Sequence, residues 1–304
     1  MFKKFSVYQL SKESVGKVRK VLQEEGEELL EEYKFRACGK ADKATYGFVK
    51  TFNDNYVSEV NNNIVVSIMS QAKSVNKFEV KTAISVAEQK WIEDNNSDEL
   101  PKDVVRAIED AAEREVLQRT FPKEPKLASI VIRPDGQMLV DGKGAASEDL
   151  LALLRKALGS LPATPVVTKD RPEQVMKLWF MEEEDTAPFN LGEKAIAVCP
   201  DQEVKYTLKG DVYSAQDTLE LMGKPDSYID SLELEFKNDI TFTLTSSLSF
   251  EGIKVNKALT EDSETNDAAN IIIINELCNI VDVVITRLGK PEPKLQESDE
   301  FEGF

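Results

Sequence analysis

The sequence predicts an α+β protein of two or three domains, and three observations predict it. Short runs with the two-residue period of strands recur in both halves of the chain. A pair of helical repeats is set between strand runs rather than beside them. The length, 304 residues, exceeds what one hydrophobic core usually organises.

The first element, Phe5-Ser6-Val7-Tyr8, alternates as a strand. Ser11 or Ser14 then starts a helix whose apolar face is Val15, Val18, Leu22, Leu29 and Tyr33. Short strands are expected at 33–37, 46–49 and 64–70. From 77 to 120 the period changes: Val80, Ala83, Ile84, Ala87 and Trp91 recur at helical spacing, Asn95-Asn96-Ser97-Asp98 makes a turn, and Pro101 opens a second helix carrying Val104, Ile108, Ala111 and Leu117. Strands return at 127–132 and 137–140. Between them Pro134-Asp135-Gly136 is a hairpin turn, in which proline fixes φ and glycine supplies a positive φ.

The stretch 147–165 carries helix signals at both ends. Ser147 is a candidate N-cap, Glu148 and Asp149 suit the positive end of the dipole, Arg155 and Lys156 the negative end, and Gly159 with Pro162 stops the helix. Pro162, Pro165 and Pro172 mark the passage to a second half. There 175–181, 195–198, 204–208, 228–236 and 240–245 read as strands, Lys237-Asn238-Asp239 as a turn, and about 270–288 as a long helix stopped by Gly289 and Pro291. Each half has several strands and a terminal helix, as a duplicated domain would, although no sequence repeat accompanies it.

Composition narrows the chemistry. Hydrophobic residues at 41% and charged residues at 31% are ordinary for a globular chain. No apolar run approaches the roughly 20 residues that span a bilayer, and Met1-Phe2-Lys3-Lys4-Phe5 leads into polar sequence, so the expected location is cytoplasmic with no membrane contact. Cys38, Cys199 and Cys278 are far apart, and there is no histidine. Histidine metal sites, Ser-His-Asp and Cys-His catalysis are therefore excluded. No glycine-rich nucleotide loop occurs, and no cofactor or metal is expected. Asp201 with Glu203 and Lys205 has the residue types of a nuclease motif, but a single residue separates its carboxylates. Glu182-Glu183-Glu184-Asp185 reads as a solvated acidic loop rather than a divalent-ion site.

The net charge of −17 argues at first against nucleic acid, but the distribution is uneven. Between 33 and 53 the basic residues Lys34, Arg36, Lys40, Lys43 and Lys50 face a single acid, Asp42, and 60–78 contains Lys73 and Lys77 and no acid at all. An acidic shell around a basic inner surface fits this arrangement.

Several of these segments together resemble the recombination-associated RdgC family. The run Leu151-Ala152-Leu153-Leu154-Arg155-Lys156-Ala157-Leu158-Gly159-Ser160-Leu161-Pro162 is long and specific. Val7-Tyr8-Gln9-Leu10-Ser11-Lys12-Glu13, Phe35-Arg36-Ala37-Cys38-Gly39, Tyr46-Gly47-Phe48-Val49, Asn63-Ile64-Val65-Val66 and Met138-Leu139-Val140-Asp141 fall in the family's order. Beyond 166 the match thins to points such as Phe189, Gly223-Lys224 and Leu288-Gly289. The resemblance implies a horseshoe-shaped subunit: a central α+β domain (1–76 and 122–165), a helical tip inserted into it (77–121), a C-terminal α+β base domain (166–290) and an acidic disordered tail (291–304). Two subunits would meet tip to tip and base to base, closing a homodimeric ring around double-stranded DNA.

It also implies roles. In Arg119-Thr120-Phe121 the family carries an Arg-x-Phe whose ring wedges into the partner at the tip, making Phe121 a dimer-interface candidate; read alone, Phe121 could equally anchor the helix to its own domain. DNA-binding candidates are Lys73, Lys77 and Lys81 leading into the tip, Arg119, Lys123 and Lys126 leading out, and Lys209 in the base, beside which the family's glutamine is replaced by Gly210. Lysines without interleaved aromatics suit phosphate contact rather than base reading. Two departures complicate the picture. Glu93 to Glu99 is acidic where the family commonly carries lysines. The C-terminus, with Phe301 and Phe304 among acids, resembles tails that dock replication and repair enzymes. The resemblance thus implies a non-catalytic, nucleoid-associated DNA ring that limits access of the RecA recombinase. The alternative is an acidic protein-interaction module of the same fold, acting on RecA or replication proteins through tip and tail with little DNA binding.

Overall fold

The computed structural model describes residues 2–97, 99–182, 184–210 and 216–290. Its first strand, β1 (Phe5–Leu10), alternates Phe5 and Val7 towards one side and Tyr8 and Leu10 towards the other, and both sides are buried. Two helices follow, α1 (Lys12–Glu24) and α2 (Gly26–Glu32). The single helix expected here breaks at Glu25, because Gly26 meets Val57: a Cβ on Gly26 would stand 2.7 Å from the valine methyl.

The edge of the sheet comes next, with β2 (Ala44–Val49), β3 (Val57–Val60) and β4 (Asn63–Ala72). The strand expected at 33–37 is no full strand. It touches β2 by a parallel bridge, with the Phe35 amide donating to the Phe48 carbonyl and the Phe48 amide to Tyr33, both at 2.9 Å. Gly47 permits this approach, since a Cβ there would lie 2.3 Å from the Phe35 backbone.

The helical hairpin forms as expected, with α3 (Lys77–Asn95) and α4 (Lys102–Arg119) between β4 and β5 (Lys126–Ile132). Asn76 caps α3 by accepting from the Phe78 amide, and Asn96 ends it in the left-handed conformation. β5 turns through Gly136, at φ 84°, into β6 (Gln137–Asp141), and α5 (Ala145–Leu158) returns across the sheet to stop at Gly159, φ 74°. Ser147 is not the cap. The helix starts two residues earlier, after Gly144, and the Ser147 hydroxyl is buried against Tyr8 Oη at 3.0 Å and the Gly144 carbonyl at 2.9 Å.

The second half contains β7 (Ala163–Pro165), α6 (Pro172–Phe180), β8 (Phe189–Cys199), β9 (Val204–Lys209), α7 (Gln216–Met222), β10 (Tyr228–Phe236), β11 (Ile240–Thr245), β12 (Ser249–Val255) and α8 (Asn266–Leu288). The strand expected at 175–181 is instead α6, which opens on Pro172 and buries Val175, Met176, Trp179 and Phe180. β12 escaped the sequence reading altogether.

All twelve strands join one antiparallel sheet, ordered β2-β4-β5-β6-β1-β12-β11-β10-β8-β9, with β3 beside β4 and β7 beside β1. The sheet therefore runs across the division expected at 165/166. The join is narrow: Phe5 pairs with Phe250 and Ser6 with Ser249, the two phenyl rings stacking at 4.6 Å. About β1 the order reads alike both ways, since β4-β5-β6 leads into α5 and β10-β11-β12 leads into α8.

The two helices lie on opposite faces. α1, α2 and α5 cover Tyr8, Ile64, Ile68, Ile130, Met138 and Val140 on one face. On the other, α6 and α8 cover β8, β10, β11 and β12 and also reach Val65, Val131 and Leu139. Arg133, at the β5–β6 turn, secures this overlap by donating to Asp282 at 2.8 Å and to the Cys278 carbonyl at 3.2 Å on α8. By length and composition α8 is apolar enough to cross a membrane, contrary to the expectation that no run approaches that length. Here Ile274, Leu277, Ile280, Val281, Val284 and Leu288 are buried in the core, and α8 is its central helix.

Candidate nucleic-acid interface

The tip is unusual in what it leaves uncovered. α3, about 29 Å long by its residue count, has no buried residue, and α4 has only Ala112 and Val116. Phe78 and Val86 are 75% and 64% exposed, and they line an open groove of about 490 Å³ with Lys90, Glu115 and Arg119. Phe121 follows at the end of α4 and is 89% exposed, so it is not packed as a core ring of its own subunit. At the far end the last turn of α3 exposes Glu93 and Asp94, and the connection to α4 exposes Glu99.

The expected DNA-binding residues divide into three groups. Lys77 and Lys81 are exposed one turn apart on α3, Lys123 is exposed on the segment leading out, and Lys126 is exposed at the start of β5. Arg119 is exposed and lies 3.6 Å from Glu115 on the same helix, a pairing worth little in water. Lys73 departs from the expectation. It is 8% exposed, and its ammonium donates to the Lys40 carbonyl at 2.8 Å and the Leu117 carbonyl at 3.0 Å, so its charge is turned inward, away from any phosphate. Phe301 and Phe304 lie outside the described residues.

Lys209 is exposed at the opposite edge of the sheet. Tracing the register from Phe5–Phe250 through Leu244, Leu232 and Ala195 to Leu208 puts Leu208 on the α8 side and Lys209 on the other. Lys126 is on that same side, because Ile130 and Ile132 of its strand pack under α5. One face of one sheet therefore carries both, seven strand spacings or ~34 Å apart. Among the described residues no helix covers this face beyond β1, since α6, α7 and α8 pack on the other. The strand ends at Gly210, whose φ of 86° suits glycine.

Near Lys209 the other lysines are compensated. Lys194 meets Glu233 at 3.0 Å and Lys205 meets Asp230 at 2.5 Å, and four strands away at β12 Lys143 meets Glu251 at 2.7 Å. Burial works to raise the Asp230 carboxyl, but Lys205 and Ser246 hold it below its ordinary value. Around the tip root the balance is more basic. Asp42, the one acid between 33 and 53, is pulled to about 2 by Arg36, at 2.6 Å, and by the Gly39 amide. Lys40 is left exposed there, and Lys43 reaches Glu113 of α4 at 3.3 Å. Sequence reading marked this stretch as basic without placing it beside the tip, which needed the register of β2 on β4.

The nuclease-like residues are not assembled. Asp201 lies in a 3-10 turn, Glu203 in a left-handed residue after it, and Lys205 is engaged with Asp230. Among the described residues no three cysteine, aspartate or glutamate side chains gather closely enough to hold a metal ion.

Comparison with known proteins bears on the whole chain. A family model described as "Putative exonuclease, RdgC" matches residues 1–290. The recombination-associated protein RdgC of Shewanella piezotolerans is 26% identical over 310 aligned positions, covering 97% of this chain and 99% of the relative. That of Yersinia enterocolitica is 25% identical over 95% of this chain and 97% of its own length, and that of Aeromonas hydrophila is 25% identical over 90% and 94%.

Proposed function

This chain belongs to the RdgC family, and from that premise we propose that it binds double-stranded DNA without sequence preference as a homodimeric ring. The family and its curated names give it a role in recombination. In the proposed ring it acts there without catalysis, by limiting access of RecA to DNA. The observation that supports this reading is the continuous sheet, one face of which carries exposed Lys126, on the side of β1 that α1, α2 and α5 cover, and exposed Lys209, ~34 Å away across the strands. Lys77, Lys81, Arg119 and Lys123 extend the basic set up the tip. Such contacts are with phosphate, so affinity depends on salt and not on sequence.

The exposed tip supports closure by a second subunit. A hairpin this bare gains little from packing within its own chain, and exposed Phe121, two residues beyond the groove-lining Arg119, suits an isologous contact in which each ring enters the partner's groove. Topological retention makes an acidic protein workable: electrostatics bring the duplex in and closure keeps it. The acidic far end of the tip, at Glu93, Asp94 and Glu99, favours a second reading, a module that docks basic protein partners with little DNA binding.

Binding to a labelled linear duplex across a salt series, with covalently closed circular duplex as competitor, tests the proposal. Affinity that falls steeply with salt is the expected result. No binding at low salt sinks the DNA ring and leaves the protein-docking module. Cleavage of the duplex in magnesium or manganese, as the exonuclease description would have it, overturns the non-catalytic part.

A further inference from the structure

We propose that Lys73 is the residue that fixes the angle of the tip on the body. Its use in ring closure rests on the function proposed above; the fixing itself does not.

The tip joins the body through two chain segments, 72–77 and 120–126, and contributes almost no buried side chains of its own. Apolar packing therefore cannot set its direction. Polar ties at the root do so. The Lys73 ammonium reaches two carbonyls belonging to different bodies: Leu117 in the last turn of α4, and Lys40 in the basic loop beside β2. Burying an ammonium is costly unless its protons are taken, and the Leu117 carbonyl, at the negative end of the helix dipole, has only a long 3.3 Å bond from the capping Thr120 amide besides. The lysine and the helix end thus answer each other's need.

The surroundings hold the bolt straight. The Lys73 amide donates to the Lys43 carbonyl at 2.9 Å, and the Lys123 amide to Ala72 at 2.9 Å. Gln71, two residues before, accepts from the Cys38 amide at 2.8 Å and donates to the Lys123 carbonyl at 2.9 Å, tying the same loop to the outgoing segment. Asp42, locked to Arg36 and the Gly39 amide, keeps the loop in shape. The loop carrying exposed Lys40 and Lys43 is therefore linked to α4 by buried Lys73 at Leu117 and, more weakly in water, by the exposed Lys43–Glu113 pair. A phosphate bound at this loop would bear on the tip angle.

The test is hydrogen exchange on the full chain carrying Lys73→Met, with Lys73→Gln alongside. Amides of α3, α4 and residues 38–43 are expected to exchange about tenfold faster or more, with the glutamine variant between, while β5, β6 and α8 stay within about twofold of the parent. Unchanged tip amides overturn the proposal. So does an equal rise in tip and core, which would make Lys73 a general core group rather than a positioning residue. Retention of circular duplex by the same variants separates the two readings. A loosened tip with retention intact leaves the Lys73 assignment standing and removes its part in closure.

Discussion

Replacing Phe121 by alanine tests the tip contact with the least disturbance of the subunit. The ring is 89% exposed, so its removal should change the stability of the folded subunit by no more than about 0.5 kcal/mol. Covered by a partner, the same ring would lose ~180 Å² from water, an upper limit of ~4 kcal/mol at ~25 cal/mol per Å². Truncation at an interface returns part of that, and about 2 kcal/mol per ring is a fair expectation. An isologous contact buries one ring from each subunit, so the dimer should weaken by about 4 kcal/mol, roughly 1,000-fold in dissociation constant. Sedimentation equilibrium over a dilution series measures the dimer, and urea unfolding measures the subunit. A dimer constant unmoved by Phe121→Ala refutes the tip contact. Loss of more than ~1 kcal/mol in the subunit refutes the premise that the ring does no internal packing.

Three further predictions concern the scaffold. Gly47→Ala puts a Cβ 2.3 Å from the Phe35 backbone, so the 33–35 segment must leave β2, costing about 3 kcal/mol in urea unfolding; a cost under ~1 kcal/mol would contradict the packing. Burial lifts the Asp141 carboxyl to about 6, so its charge is disfavoured more in the folded state than in the unfolded chain. Its contribution to stability is present below the ordinary carboxylate range and is lost as pH rises through about 6. Asp141→Asn should therefore stabilise by about 2 kcal/mol at pH ~7.5 and very little at pH ~4, and an equal gain at both would refute this. Burial pushes the Cys278 thiol up to about 11, so a disulfide reagent at pH ~8 should label half-exposed Cys38 in the native protein and leave Cys278 untouched until unfolding.

Much of the fold was legible where local signals agree with tertiary demand. The tip hairpin was read from the period of Val80, Ala83, Ile84 and Ala87, and its turn from Asn95-Asn96, because α3 buries no side chain and little packing is there to override propensity. Gly136 and Gly159 fell where the backbone needs positive φ. Reading failed where an apolar run carries no period of its own. Val175 to Met181 is apolar enough for a buried strand, and only Pro172 at its start signals the helix that forms. β12 was missed although its partner β11 precedes it closely, because Gly252 interrupts its alternation and its other partner, β1, lies more than 240 residues away. For the site, sequence reading located the basic segments but not the direction of individual side chains. Lys73 and Lys77 look alike in sequence, yet one is buried under α4 and the other exposed on α3. That difference depends on the Leu117 carbonyl arriving from 44 residues later.

The central position of β1 has a consequence for the order in which the molecule is made. Its partners lie at 137–141, 163–165 and 249–255, so a strand translated early waits for most of the chain. At ~5–20 residues per second, the ~240 residues between Ser6 and Ser249 take roughly 10–50 s to synthesise. Until then Phe5 lacks the ring of Phe250 on which it stacks. Tip, α1 and β2 to β6 can assemble on the ribosome, but the sheet becomes a single piece only near the end of translation. An extension fused before Phe5 therefore sits beside the last seam to close, and it should slow folding more than one placed after exposed Asn96, at the end of α3.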